Sequence, residues 1–292
     1  MIWSVAAVGV KALLYAATLT AGGGILFLAL FASHLDDAAR RRILRFVRVA
    51  AVAAIALTAA RVMVLGAMLG DDAAGLWDRS LLEIVLEGSE GTASIVRAAG
   101  LAAVLAFSFQ AGVGQAVATL GALAAVGSFA LTGHTGSVGP GDLARLIVFV
   151  HLAGVAYWIG ALVPLLIVAS ARDTERAAAV LERFSSLAAV AVGGLIIAGS
   201  VLLWLLLGTI DAAVTSAYGQ LVLLKLALVA GLLMLAAVNK LHLTPRIARG
   251  DVAAAARLRR SIWAEMALAG AVLIATAAFT TVVGPPVLEA PT

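Results

Sequence analysis

Residues 5–32 read VAAVGVKALLYAATLTAGGGILFLALFA. The run holds one charged residue, Lys11, and it exceeds the roughly 20 apolar residues that a helix needs to cross a bilayer. It is too long for the core of a signal peptide, and no basic segment precedes it. It therefore reads as a retained membrane helix. If one stretch of the chain needs lipid as its solvent, the next question is whether the rest does too.

It does. The chain has 292 residues, of which 63% are hydrophobic and only 12% charged. Its mean hydropathy is +1.09. Soluble domains are about half apolar and about a quarter charged. Further apolar runs of spanning length occur at 45–70, 94–111, 114–133, 143–170, 184–208, 219–240 and 261–283. Their ends are drawn to within several residues. The expected fold is an all-α integral membrane protein, a bundle of about eight transmembrane helices. It divides into an N-terminal four-helix half, 1–133, and a C-terminal four-helix half, 134–292.

The charges set an orientation. Most of the 20 basic residues fall in three breaks. Arg40, Arg41, Arg42, Arg45 and Arg48 follow the first span. Arg172, Arg176 and Arg183 follow the fifth, and Lys240, Arg246, Arg249, Arg257, Arg259 and Arg260 follow the seventh. The break after the second span instead carries Asp71, Asp72, Asp78, Glu83, Glu87 and Glu90 against Arg79 alone. The positive-inside rule puts the basic breaks in the cytoplasm and both termini outside. The sequence pI near 10 is thus a topology signal, and no nucleic acid is expected as a partner. In the acidic break, Trp77, Leu81, Ile84 and Val85 recur at helical spacing, which predicts a short amphipathic helix on the outer surface. The Gly133–Asp142 break reads as a Gly/Pro turn, with Asp142 as N-cap of the fifth span.

Ionisable groups inside a bilayer are expensive and need a reason. At about 1.5 Å per residue, His151, Lys225, Arg61 and Lys11 each lie roughly 9–13 Å below the outer ends of their spans. His134 and Arg145 stand above them at the outer mouth. Lysine and arginine can snorkel to the headgroups from such depths, and Arg97 and Arg145 read as interfacial anchors. Imidazole has no long stem, so His151 reads as a metal ligand, a haem ligand, a proton carrier or a hydrogen-bonded packing residue. It shares a helix face with Gly154 and Trp158. Lys11, Tyr15 and Thr18 line one face of the first span, and Lys225, Leu232 and Asn239 one face of the seventh. Met63 and Met68, on the span that carries Arg61, are candidate thioether ligands for copper(I), against a plain packing role. The chain has no cysteine, so thiolate sites and disulfides are excluded. There is no P-loop, no HExxH and no GxSxG, and an enzyme is not expected.

The second half resembles the copper-resistance protein D (CopD) family. The likeness rests on His151-Leu152-Ala153-Gly154 with Trp158-Ile159-Gly160, and on Arg183-Phe184-Ser185 with Trp204 and Leu205 to Gly208. It continues through Tyr218-Gly219-Gln220-Leu221 to Lys225-Leu226, then Asn239-Lys240, then Leu258-Arg259-Arg260-Ser261 with Glu265. The Thr132-Gly133-His134 turn fits as well. The resemblance implies an eight-helix protein that handles copper, with uptake or resistance as its role. It implies a periplasmic copper-binding partner of the copper-resistance C type, here as a separate protein. It favours His151 and His134 as copper contacts, with Trp158, Arg61, Lys225, Lys11, Tyr15 and Arg145 along the route or behind the ligands. The alternatives are a haem b electron-transfer protein, with His151 as axial ligand and cations on the propionates, and a membrane assembly subunit that transports nothing.

Overall fold

The computed structural model describes residues 2–132, 141–171, 174–207 and 217–283. The described residues are helical with short connections. The helices are α1 (Ile2–Phe31), α2 (Asp37–Gly70), α3 (Arg79–Glu87), α4 (Ser89–Phe107), α5 (Val113–Gly127) and α6 (Gly141–Gly160). They continue as α7 (Leu162–Val168), α8 (Thr174–Leu207), α9 (Ala217–Val238), α10 (Thr244–Ala248) and α11 (Val252–Ala278). Among the described residues eight helical segments are long and apolar enough to span a membrane. This is the all-α, multi-pass architecture that the hydropathy predicts.

The helix ends differ from the sequence reading where charge begins. The second span starts at Asp37, not near 45, because Asp36 caps it by accepting the Ala39 N–H at 2.6 Å. The arginine run is therefore helical. Ala39, Ile43 and Val47 recur at spacings of four and are buried, while Arg41, Arg42, Arg45 and Arg48 point outward. The last span starts at Val252, not 261. Asp251 caps it through the Ala254 N–H at 3.0 Å and pairs with Arg246 at 2.7 Å. The sixth span likewise begins ten residues earlier than its apolar run. In each case a charged extension continues an apolar helix, and its polarity hides it from a search for hydrophobic runs.

The fifth span is broken between α6 and α7 at Ala161. Pro164 has no N–H and its ring crowds the carbonyl one turn back, so the helix restarts there. Asp142 lies in the first turn of α6 rather than at its N-cap, and it pairs with Arg145 at 3.3 Å. The predicted amphipathic surface helix is α3. Asp78 caps it, Val85 turns inward, and Trp77 and Ile84 stay exposed. The Gly/Pro turn before α6, with His134 in it, lies outside the described residues, as does the tail after Val283.

α1 is the centre of the bundle. It packs against α2, α5, α6 and α11, and so touches both halves. Contact with α6 is glycine on glycine. A methyl group on Gly23 would stand 2.0 Å from the Ala156 carbonyl oxygen and 2.6 Å from the Gly160 Cα. Only hydrogen fits there. α8 and α9 stand at the rim. α8 packs on α6, α9 packs on α11, and the two share no extended interface.

The three basic breaks meet at one end of the bundle. Arg183 Nη1 lies 3.3 Å from His34 Nε2, Lys240 donates to the Ser185 carbonyl at 3.3 Å, and Arg259 donates to the Ala169 carbonyl at 3.3 Å.

Candidate functional site

His151 sits on α6, half-buried, and faces protein. A methyl group added to Gly199 of α8 would stand 3.9 Å from its Cε1. Lys225 of α9 is close enough for its charge to act on the imidazole. The Lys225 ammonium lies 5.6 Å from the centre of the Phe279 ring, which continues α11. His151 Nδ1 is sealed from solvent and has no hydrogen-bond partner among the described residues. Trp158, two turns below, is 9% exposed and belongs to the main core. Beside it the Tyr157 hydroxyl donates to the Phe184 carbonyl at 3.2 Å and its ring stacks on Phe184. The imidazole thus lies against α8, on the face of α6 that α8 covers. α8 and α9 share no extended interface, and Gly193 and Gly194 of α8 are exposed.

The other buried cations gather elsewhere, around α1, α2, α4 and α5. Glu90 lies 3.8 Å from Arg61 and 3.9 Å from Arg97. Arg97 donates from Nε to Ser128 Oγ at 3.0 Å, and its guanidinium covers the Phe129 ring at 4.3 Å. Tyr15 meets Phe129 edge-on at 4.6 Å. Arg61 donates to the Ala7 carbonyl and Lys11 to the Thr280 carbonyl, both at 3.1 Å. Arg97 is fully buried, Arg61 is 5% exposed and Lys11 9%. The expectation that Arg97 anchors at the interface is therefore wrong. Its side chain is held inward by Glu90, Ser128 and Phe129. Arg145 is half-exposed at the start of α6.

The structure brings Lys11, Tyr15 and Arg61 together, and Lys225 to His151. Met63 and Met68 are half-buried on α2, which packs against α1, α3, α4 and α7 rather than α6. His134 lies outside the described residues. Among the described residues no group of three or more His, Cys, Asp or Glu side chains could hold a metal ion. Sequence reasoning missed Glu90 and Arg97 as partners because it began the third span at 94. With α4 starting at Ser89, Glu90, Ser94 and Arg97 fall in phase on one face.

Two family models match this chain. The model described as the copper resistance protein D-like N-terminal domain covers residues 1–143, and the copper resistance protein D model covers 178–279. The chain belongs to the copper-resistance protein D family. This CopD protein is also similar to the copper transport protein CutJ of Bacillus subtilis (strain 168), with 32% identity over 161 residues. That match takes in 54% of this chain and only 28% of the relative's length. No solved structure matches. Family and fold together make this a multi-pass membrane protein with a copper-related function.

Proposed function

We propose that this CopD protein is a copper permease, not an enzyme, that carries copper ion inward across the bacterial inner membrane. The observation that carries the reading is the buried Nδ1 of His151, which has no hydrogen-bond partner among the described residues, on the face of α6 that α8 covers. A neutral imidazole with a free nitrogen is a ligand for copper. Burial away from solvent excludes the water that would otherwise compete for the ion. The family match and the similarity to a copper transport protein support copper as the cargo. Copper reaches the outer face from a periplasmic copper-binding protein of the copper-resistance C type. The exposed acids of that face, Asp71, Asp72, Glu83 and Glu87 among them, favour a cation's approach. His134 then hands the ion to His151, and it passes on along α8.

The charges argue for this route over one through the first half. Lys11, Arg61 and Arg97 with Glu90 as their carboxylate would repel Cu⁺, so that cluster serves packing and the cargo runs on the other side of α1. Lys225 Nζ lies over the Phe279 ring.

The test is copper uptake into proteoliposomes, with metal analysis of the purified protein and of a His151→Ala variant. Wild type should bind and move copper, and His151→Ala should lose most of both. Equal uptake by the variant would end the reading. A visible spectrum of the same samples decides the haem alternative, which requires a Soret band that His151→Ala removes.

A further inference from the structure

A second buried polar pair lies at the opposite end of the α9–α11 seam. α9 and α11 run antiparallel in a fixed register. Lys225 lies over Phe279 near one end, and fourteen residues along each helix Asn239 meets Glu265. Fourteen residues is about 21 Å of helix. Between the two levels the seam is closed by Leu232, Ala269 and Val272, all buried.

Glu265 is 4% exposed, in a segment long and apolar enough to span a membrane. Among the described residues it has no ion-pair partner. Four cationic groups on the elements around α11 are directed elsewhere, while His242 and Arg257 face a depression at the basic end. Lys240 donates to the Ser185 carbonyl, Arg246 pairs with Asp251, and Arg259 donates to the Ala169 carbonyl. Lys11 is bonded to Thr280 at the far end. α7 and the part of α1 from Gly22 onward carry no charge. An ionised carboxylate with no counter-charge is costly at this depth.

Among the described residues its partner is Asn239, which donates from Nδ2 to Glu265 Oε1. Asn239 Oδ1 is buried with no partner among the described residues, and so is Ser261 Oγ, one turn before Glu265 on α11. An acceptor is idle beside a carboxyl group. A proton on Glu265 Oε2 supplies the missing donor, because Oε2–H to Asn239 Oδ1 closes a cyclic acid–amide pair with the existing Nδ2–H to Oε1 bond. An open surface depression of about 480 Å³ lies at the basic end beside this level, without Glu265 or Asn239 in its wall. It is lined by Val238, His242, Leu243, Arg246, Arg257 and Ser261, so its wall includes the neighbours of both members of the pair. Water in it can deliver and remove the proton, while His242 and the two arginines discourage metal cations from lodging there. The donors here are oxygens, which suit a proton or a hard cation and not Cu⁺.

We propose that Glu265, clasped by Asn239, is a proton-binding site loaded from the basic end beside this depression, and that it gives the transporter its coupling proton. The coupling rests on the copper-transport reading above; the protonation does not. Two measurements separate them. Difference infrared spectra of the purified protein, recorded in H₂O and D₂O across an acid step, should contain a carboxylic-acid C=O band. Glu265→Gln, which keeps size and the Asn239 contact, should remove it, and a band unchanged in that variant overturns the site. In proteoliposomes with an entrapped pH dye, copper flux should move protons in wild type and in Glu265→Asp, and should do so at least tenfold less in Glu265→Gln. Equal proton movement in Glu265→Gln, or copper flux that follows a sodium gradient instead, overturns the coupling. If wild type moves no copper, the permease reading fails and the infrared band alone decides whether Glu265 binds a proton.

Discussion

Glu90 is the carboxylate that the described residues place between two buried guanidinium groups, and its side chain keeps only 18% of its exposure. Removing one member of a buried ionic cluster leaves the others uncompensated, which typically costs about 3–5 kcal/mol. Glu90→Gln should therefore lower the thermal unfolding temperature in detergent sharply. Glu90→Gln combined with Arg97→Met should recover part of the loss, since one orphaned cation is gone. A double variant less stable than the single would show that Arg97 is held by Ser128 and Phe129 and needs no carboxylate. The sequence made the cations of this cluster visible, because charge inside an apolar run is conspicuous. It did not show their acid, because Glu90 stands among other acids just before the apolar run begins. His151 was legible for the converse reason. A lone imidazole within a span has few bland explanations, and the absence of a hydrogen-bond partner is a fact that only coordinates supply.

At the scale of the element, α3 depends on a single cap. Asp78 accepts from the Ser80 hydroxyl at 2.6 Å and from the Ser80 and Leu81 N–H groups at 2.9 and 3.3 Å. These bonds, the Ser80 hydroxyl foremost, hold its carboxyl below the usual aspartate range. A lowered value means that the cap's contribution is complete above the ordinary aspartate pKa of about 3.9 and is lost as pH falls through the lowered one. Amide exchange at Ser80 and Leu81 should thus be slow at neutral pH and accelerate on acidification below that range. Asp78→Ala should show fast exchange at every pH. The contact of α1 with α6 gives a second prediction. Gly160→Val places a side chain 2.2 Å from the Leu19 carbonyl oxygen, where nothing can give way. Overpacking of this kind costs about 1–3 kcal/mol or more, so the variant should unfold at lower temperature. Gly9→Ala meets nothing within 4 Å and should be neutral. The number of spans was readable from hydropathy. Their ends on the basic side were not, since the charged extensions of α2, α8 and α11 lose the apolar signature that marks a span.

At the scale of the whole molecule, the gathering of the basic breaks at one end makes topology measurable. The chain has no cysteine, so introduced thiols report without background. If the basic end is cytoplasmic, Ala253→Cys in intact cells should resist a membrane-impermeant maleimide until the membrane is opened. Ser80→Cys on the acidic face should react at once. The reverse pattern would invert the proposed direction of transport.

The glycine-to-glycine seam has one more consequence. Transporters built from two halves commonly rock one half against the other about a central site. Here α1, which belongs to the first half by sequence, is wedged into the second along Gly23, Ala156 and Gly160 with no slack for sliding. Such a mast cannot swing without taking both sides with it. If the chain carries copper as proposed, the motion falls to the two outlying staves, α8 and α9, which are braced by α6 and by α11 on separate flanks rather than by the mast itself.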